Sequence, residues 1–255
     1  MASRCGHSWR TETMRYDPPR FLDQGETALS VEFGDTVDPA INATVLALDA
    51  ALRHDPPAGV CETTPSYRAL LVQYEPLEID RATLVRDITM RLTRDDAATP
   101  TERRCWTIPC CYDPALAEDI VEAAQTLGQT VESLARLHAG GDYRAYMYGF
   151  APGWCYLGGL PTALAMPRRL TPRGVTPTGA VLIGGGLSLI GANPMPTGWY
   201  VIGRTPEKLF SSRRQPNFLI APGDRIRFEA IDTTRFAALE TRAAQGETLA
   251  RCESA

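Results

Sequence analysis

The sequence predicts an α+β chain made of two unlike parts, a ferredoxin-like α/β domain followed by a closed or sandwiched β structure. Three observations carry that prediction. Strand-like and helix-like periodicities alternate in the order βαββαβ up to Cys110, a polar stretch from Thr93 to Arg104 interrupts them at Pro100, and beyond Asp142 short β-like runs are dense in Gly and Pro. The expected parts are a flexible tail over 1–18, an N-terminal domain over 19–100, a closed or sandwiched β domain over 101–233 and a C-terminal helix and tail over 234–255.

The first strand is read from Leu29, Val31 and Phe33 alternating with Ser30 and Glu32, and Gly34 closes it. Asp38-Pro39 is a cap residue followed by a first-turn proline, and Ile41, Val45, Leu48 and Leu52 then recur on one helical face. Strands follow over 60–64 and 69–74, and a helix opening at Asp80 carries Leu84, Ile88 and Leu92 on one stripe. CWTIPC at 105–110 completes the split βαβ pattern or starts the next domain. Two helices are expected next, Pro114–Leu127 stopped by Gly128, and Val131–His138 behind a Thr130 cap. The β-like runs are YRAYMYGF, AVLIGGGLSLIG, GWYVIGRTP and DRIRFEAI, and a surface helix is expected from Thr234 to Ala250.

Composition excludes several chemistries. The chain has 255 residues, a formal charge of -4 and a single lysine, Lys208 in TPEKLF. A phosphate-cradling GxxxxGK[ST] loop needs its lysine after a glycine, so that site is absent, and Schiff-base or Ser-Lys amidase chemistry has no suitably placed lysine. The acidic balance argues against nucleic acid as a partner. No apolar run reaches the roughly 18 residues of a membrane span, and the N-terminus MASRCGHSWRTETMRYDPPR is polar, so the protein is expected to be cytoplasmic, without a membrane partner. Seven cysteines lack paired spacing and read as free thiols; Cys110 and Cys111, adjacent in a strand, would point to opposite faces. The three histidines lie far apart, and no metal site is expected.

The densest candidate segment is YRAYMYGFAPGWCYLGGLPTALAMPRRLTPR, residues 143–173. Its glycines and prolines punctuate Phe150, Trp154 and Tyr156, giving either a binding surface or an aromatic plug at one end of a barrel. Arg168, Arg169 and Arg173 suit bidentate capture of an oxyanion, or form a solvated basic edge. His138, at a predicted helix end where the dipole favours its charged form, is a general base, a hydrogen-bond donor or a capping residue. Arg204 holds an anion or pairs with Asp224 to brace a turn.

GFAPGWCYLGGLP, PRRLTPRGVTPTGAVLIGG, GWYVIGRTP with Leu209-Phe210, and APGDRIRF, together with ETALSVEFGD and PSYRALLVQYEP, resemble one family. It is variously called allophanate hydrolase subunit 1, the B-type subunit of 5-oxoprolinase, and KipI, the carboxyltransferase domain with subdomains C and D. The resemblance covers residues 20–231 and implies that the second part is a cyclophilin-like β-barrel. It further implies one component of an ATP-dependent 5-oxoprolinase, converting 5-oxoproline to glutamate. The implied partners are a homologous cyclophilin-like subunit, of the 5-oxoprolinase C-type or allophanate hydrolase subunit 2 kind, and the A-type subunit of 5-oxoprolinase. No cofactor is expected on this chain: ATP is used by the complex, and biotin rides on a partner in the alternative of a urea-carboxylase-type carboxyltransferase. A KipI-like histidine-kinase inhibitor is the alternative of another class. By position, the resemblance assigns His138, Tyr143, Arg144 and Arg204 to catalysis, and Phe150, Pro152, Gly153, Tyr156, Arg168, Arg173 and Thr205 to substrate binding. The sequence departs from the commoner pattern where Leu187 and Ser188 stand in place of Gln and Thr, and where Trp154-Cys155 replaces Phe-Pro.

Overall fold

A computed structural model describes residues 14–93 and 104–254. The chain divides into two compact units, residues 1–98 and 99–255.

In the first unit, strands β1 (Arg15–Asp23), β2 (Ala28–Gly34), β3 (Val60–Pro65) and β4 (Ala69–Tyr74) form an antiparallel sheet in the order β1-β2-β4-β3. Helices α1 (Pro39–His54) and α2 (Arg81–Thr93) complete it. Asp38 caps α1 as its sequence predicts, its carboxylate accepting from the Ala40 and Ile41 amides at 2.8 and 3.0 Å. Ile41, Val45, Leu48 and Leu52 of α1 and Leu84 and Ile88 of α2 share one core with Leu29, Val31, Leu70 and Val72 of the sheet. The βαββα order is ferredoxin-like, but the strand at the free edge of β2 is β1 and not the CWTIPC strand, which belongs to the second unit. Residues 15–18, expected in a flexible tail, therefore lie in a strand. Pro18 and Pro19 sit where the register slips between Arg15 and Arg20, and prolines are tolerated there because an edge strand has one row of amides that need no partner. The rest of that expected tail, residues 1–13, lies outside the described residues, as does 94–103 of the expected interdomain stretch.

The second unit contains β5 (Arg104–Cys111), α3 (Ile120–Thr126), α4 (Val131–Ala139), β6 (Tyr143–Tyr148) and β7 (Cys155–Gly158). It continues with β8 (Arg173–Val175), β9 (Ala180–Gly184), β10 (Leu187–Gly191), β11 (Pro196–Thr197), β12 (Tyr200–Arg204), β13 (Arg225–Ile231), α5 (Thr233–Ala244) and β14 (Arg251–Ser254). Strands run β12-β9-β10-β7-β6-β13-β5, and pairing of Arg204 with Cys111 closes the ring into a barrel. The α+β class and the barrel are those the sequence predicts. Strand alternation divides the barrel's apolar residues. Val181, Ile183, Ile190 and Ile202 join the large core with Ile108, Cys110, Leu157 and the helix residues Ile120 and Leu134. Their neighbours Ala180, Leu182, Leu189 and Val201 face outward into a second cluster with Trp154 and Trp199. Cys110 and Cys111 likewise part company, the first into the large core and the second under Phe236 of α5.

Two expected helices are shorter. The one expected from Pro114 begins at Ile120, because the Asp119 amide donates to Val201 O of β12 at 2.9 Å and turns the chain there. The one expected to reach Ala250 ends at Ala244, and residues 251–254 instead pair with β5 as β14, so the C-terminal segment is part of the barrel sheet.

Candidate functional site

The connector between β6 and β7 carries the site's most unusual backbone. Gly149 O accepts from Ala151 N at 2.8 Å across Phe150, whose φ is +69°, which makes a γ-turn of the rare, strained hand. A bulky residue at positive φ persists only where its surroundings impose it, and such strain clusters at ligand clamps and active sites. The imposing contacts are visible. Gly149 N donates to Trp154 O, Asn193 Nδ2 donates to Pro152 O at 2.6 Å, and Trp154 Nε1 donates to Asn193 O at 3.2 Å. Gly153, at φ +81°, has no room for a side chain, since a Cβ would come within 2.6 Å of Ala192 Cβ and 2.7 Å of Phe210 Cβ. The result is Phe150 left 65% exposed, its ring edge-on to the buried Trp154 at 5.2 Å.

Trp154 belongs to the outward cluster, and around it the structure gathers five of the expected residues: Phe150, Pro152, Gly153, Tyr156 and Arg168. Tyr156 stands edge-on to Trp199 at 5.9 Å, and the Arg168 guanidinium lies 5.1 Å from the Trp199 ring centre. Gly184 lets Trp199 pack closely on the strand, since a Cβ there would lie 3.1 Å from the indole and push it aside by a few tenths of an ångström. Burial raises the Tyr156 hydroxyl's pKa, and Arg168 nearby lowers it. Leu187, one of the two departures from the commoner pattern, packs at the margin of this same face. Trp199 is the site residue that sequence reading did not single out; its signal, a tryptophan between Gly198 and a β run, is indistinguishable from a core position until the outward face is seen.

The other arginines are engaged. Arg173 is paired with Glu118 and Asp119, and Arg169 with Glu122 and Asp119, while Asp119 also accepts from the Val201 amide at 2.8 Å. Arg173 thus braces the loop before β8 and is not open for anion capture. Arg204 Nε donates to Thr178 O at 3.0 Å and its Nη2 reaches Glu240 of α5 at 3.4 Å. Thr205 is buried, its amide donating to Gly179 O and its hydroxyl accepting from Glu207 N. Arg204 does not pair with Asp224, which accepts instead from Arg104, Trp106 Nε1 and the Ala221 amide.

His138 is 0% exposed, in the large core between Tyr143 and Phe228 at ring distances of 5.0 and 4.8 Å. Burial pushes its pKa down to about 3, so the charged form expected at a helix end is not the one present: desolvation outweighs the dipole. A neutral ring protonated on Nε2 satisfies every partner. The Tyr112 hydroxyl donates to Nδ1 at 2.8 Å, Nε2–H donates to Ser188 Oγ at 3.1 Å, and Ser188 donates to Leu182 O at 3.2 Å. Tyr143, also buried, donates to His138 O at 2.9 Å. Arg144, next along β6, is half-buried and pairs across strands with Gly158 and Arg225. Because Ser188 and Leu189 face opposite sides of β10, the strand separates His138 and Tyr143 from the aromatic face, and the two sets do not share one pocket.

Burial raises the thiols of Cys110 and Cys155, the latter to about 12, so neither is an activated nucleophile. Among the described residues, no three His, Cys, Asp or Glu groups converge as a metal site, and no helix is long and apolar enough to cross a membrane. The aromatic face can grip a ligand or a protein surface, and among the described residues it presents no thiol or imidazole for bond making.

Residues 19–220 match the family described as carboxyltransferase domain, subdomain C and D. The B-type subunit of 5-oxoprolinase from Bacillus subtilis (strain 168) is 31% identical over 229 residues, covering 86% of this chain and 94% of that protein. The crystal structure of TTHA0988 superposes with a TM-score of 0.72 at 33% identity over 80% of this chain but only 40% of that one, so this chain spans less than half of it. Kluyveromyces lactis urea carboxylase, 14% identical, superposes with a TM-score of 0.76 over 93% of this chain and 24% of its own, a likeness of fold.

Proposed function

The chain belongs to the carboxyltransferase-domain family, subdomains C and D, and on that premise we propose that it is the B-type subunit of a 5-oxoprolinase-like enzyme. In this reading it works in the cytoplasm with a homologous cyclophilin-like partner and an A-type subunit, and the complex couples ATP hydrolysis to opening of 5-oxoproline to glutamate. This chain binds no cofactor of its own. It contributes a binding face, and the groups that make and break bonds come from the partners.

One observation carries the reading: Phe150 is held out on a strained turn beside Trp154, Trp199 and Arg168. An exposed aromatic anchor is costly in water and useful at an interface, where it fills a partner's pocket. The planar Arg168 guanidinium, backed by an indole, is suited to a carboxylate such as that of 5-oxoproline. Tyr156 adds a hydroxyl at the same face. His138, Tyr143, Arg204, Thr205 and Arg173, each engaged within the fold, do not touch substrate in this reading, and Arg144 is given no role in binding it.

The test is reconstitution from the purified components. ATP turnover dependent on 5-oxoproline is expected only when this chain is present, and to fall at least about tenfold with Arg168→Ala. Full turnover without this chain would remove the proposal. A second reading, carboxyl transfer with biotin on a partner, draws on Leu187, an apolar side chain at the face where the commoner family pattern has Gln. Loss of one polar contact at a substrate wall shifts specificity strongly. Carboxylation of an amide or urea by the complex, in place of 5-oxoproline opening, would favour it.

A further inference from the structure

We propose that the cleft at the carboxyl end of α4 is a binding site for a small oxyanion, held by Arg227, Arg251 and the Thr107 hydroxyl. The cleft measures about 510 Å³ and is lined by these three residues, by Asp142 and Glu229, and by the chain from Ala139 to Gly141. Its floor is β13, β5 and β14, none of which contributes to the aromatic face described above.

Register places the three groups in one row. Thr107 of β5 is directly opposite Arg227 of β13 on one side and Arg251 of β14 on the other. Adjacent strands lie about 4.8 Å apart, so the two arginines start roughly 10 Å from each other with a hydroxyl midway, a span their side chains close easily over a common ligand. Like charges brought over one strand cost stability unless something neutralises them.

Glu229 does so for Arg251, and among the described residues no neighbouring carboxylate does so for Arg227. Two guanidiniums, Arg227 and Arg251, and two carboxylates, Asp142 and Glu229, line the cleft, and Arg225 and Arg235 reach those carboxylates from its edge. Asp142 is taken by Arg225, and the two oxygens of Glu229 are taken by Arg235 and Arg251, each at 2.9 Å. Arg227 is left exposed, with no hydrogen bond or ion pair among the described residues, and the Thr107 hydroxyl likewise has no partner among them. The cleft's own carboxylates are therefore engaged, and the Arg227 guanidinium and the Thr107 hydroxyl are the donors left open in it. The α4 wall gives an anion no help: the Gly140 and Gly141 amides already bond to Arg136 O and His138 O, and the carboxyl end of a helix is its negative end. Recognition therefore rests on guanidinium forks and a hydroxyl, which select a compact oxyanion, phosphate or carboxylate, over a neutral ligand.

The experiment is calorimetric titration of the full chain with inorganic phosphate and, separately, with glutamate. Saturable one-to-one binding of at least one is expected: phosphate alone makes this a phosphate-group site, glutamate alone a carboxylate site, and both a general oxyanion site. Arg227→Ala should weaken binding about tenfold or more, and Arg227→Lys by less, since charge survives while the fork is lost. Arg227 has no partner to lose, so both variants are expected to unfold at the wild-type temperature. If neither anion saturates the wild type, or if Arg227→Ala binds as tightly as wild type, the site does not exist.

Discussion

At Phe150 a φ of +69° that only glycine adopts without cost coincides with an aromatic ring left mostly in water. Both features cost stability, so replacing the residue should be benign for the fold and harmful to what the ring contacts. Phe150→Gly is expected to unfold at the same or slightly higher denaturant concentration, with relief of strain worth up to about 1 kcal/mol, while assembly or turnover of the complex falls. Chemical denaturation and reconstituted turnover measure the two halves; full activity in this variant would show that the strained turn serves only the loop. Phe150, Gly153 and Tyr156 were legible as a cluster because glycines and prolines crowd the aromatics in one stretch. The fate of Arg168 against that of Arg169 and Arg173 was not. Three arginines within six positions look equivalent in sequence, and only the location of Glu118, Asp119 and Glu122 distinguishes the engaged pair from the exposed one.

β14 is held by a single buried carboxylate as well as by its pairing with β5. Glu207, almost fully buried, accepts from the Leu249 and Ala250 amides at 2.6 and 2.7 Å through one oxygen and from Lys208 N at 2.9 Å through the other. Glu207→Ala strands three amide donors, and a loss on the order of 2–3 kcal/mol follows from the cost of burying unsatisfied groups. Hydrogen exchange should report it first at residues 249–254; unchanged protection there would mean that strand pairing alone anchors the segment. This element was invisible in sequence because RCES has no strand alternation long enough to read, and the preceding helical pattern runs on towards it. The well-read elements, such as α1 with its Asp38 cap and β9 with its apolar run, carry their signals within a few consecutive residues.

For the molecule as a whole, the buried neutral His138 sets an acid limit. Its folded pKa of about 3 lies below the ordinary 6.5, so the unfolded chain binds a proton that the folded chain refuses between those values. Its contribution is fully present above about pH 6.5 and is lost progressively as pH falls towards 3, at up to about 1.4 kcal/mol per pH unit. His138→Gln should flatten that part of a stability-against-pH curve, measured by denaturant unfolding; an unchanged slope would assign acid sensitivity elsewhere. The sequence by itself determined the α+β class, most strands and helices, the exclusion of lysine-dependent chemistry and the aromatic cluster, because periodicity, capping and composition are local quantities. The tertiary structure alone decided which faces those residues meet. Strand pairing took CWTIPC into the barrel, put Ser188 with His138 on the inner side of β10 and Leu187 at the outer cluster, and set Arg227 and Arg251 beside Thr107. Contacts between residues distant along the chain depend on register and closure, and neither is written in any short stretch of residues.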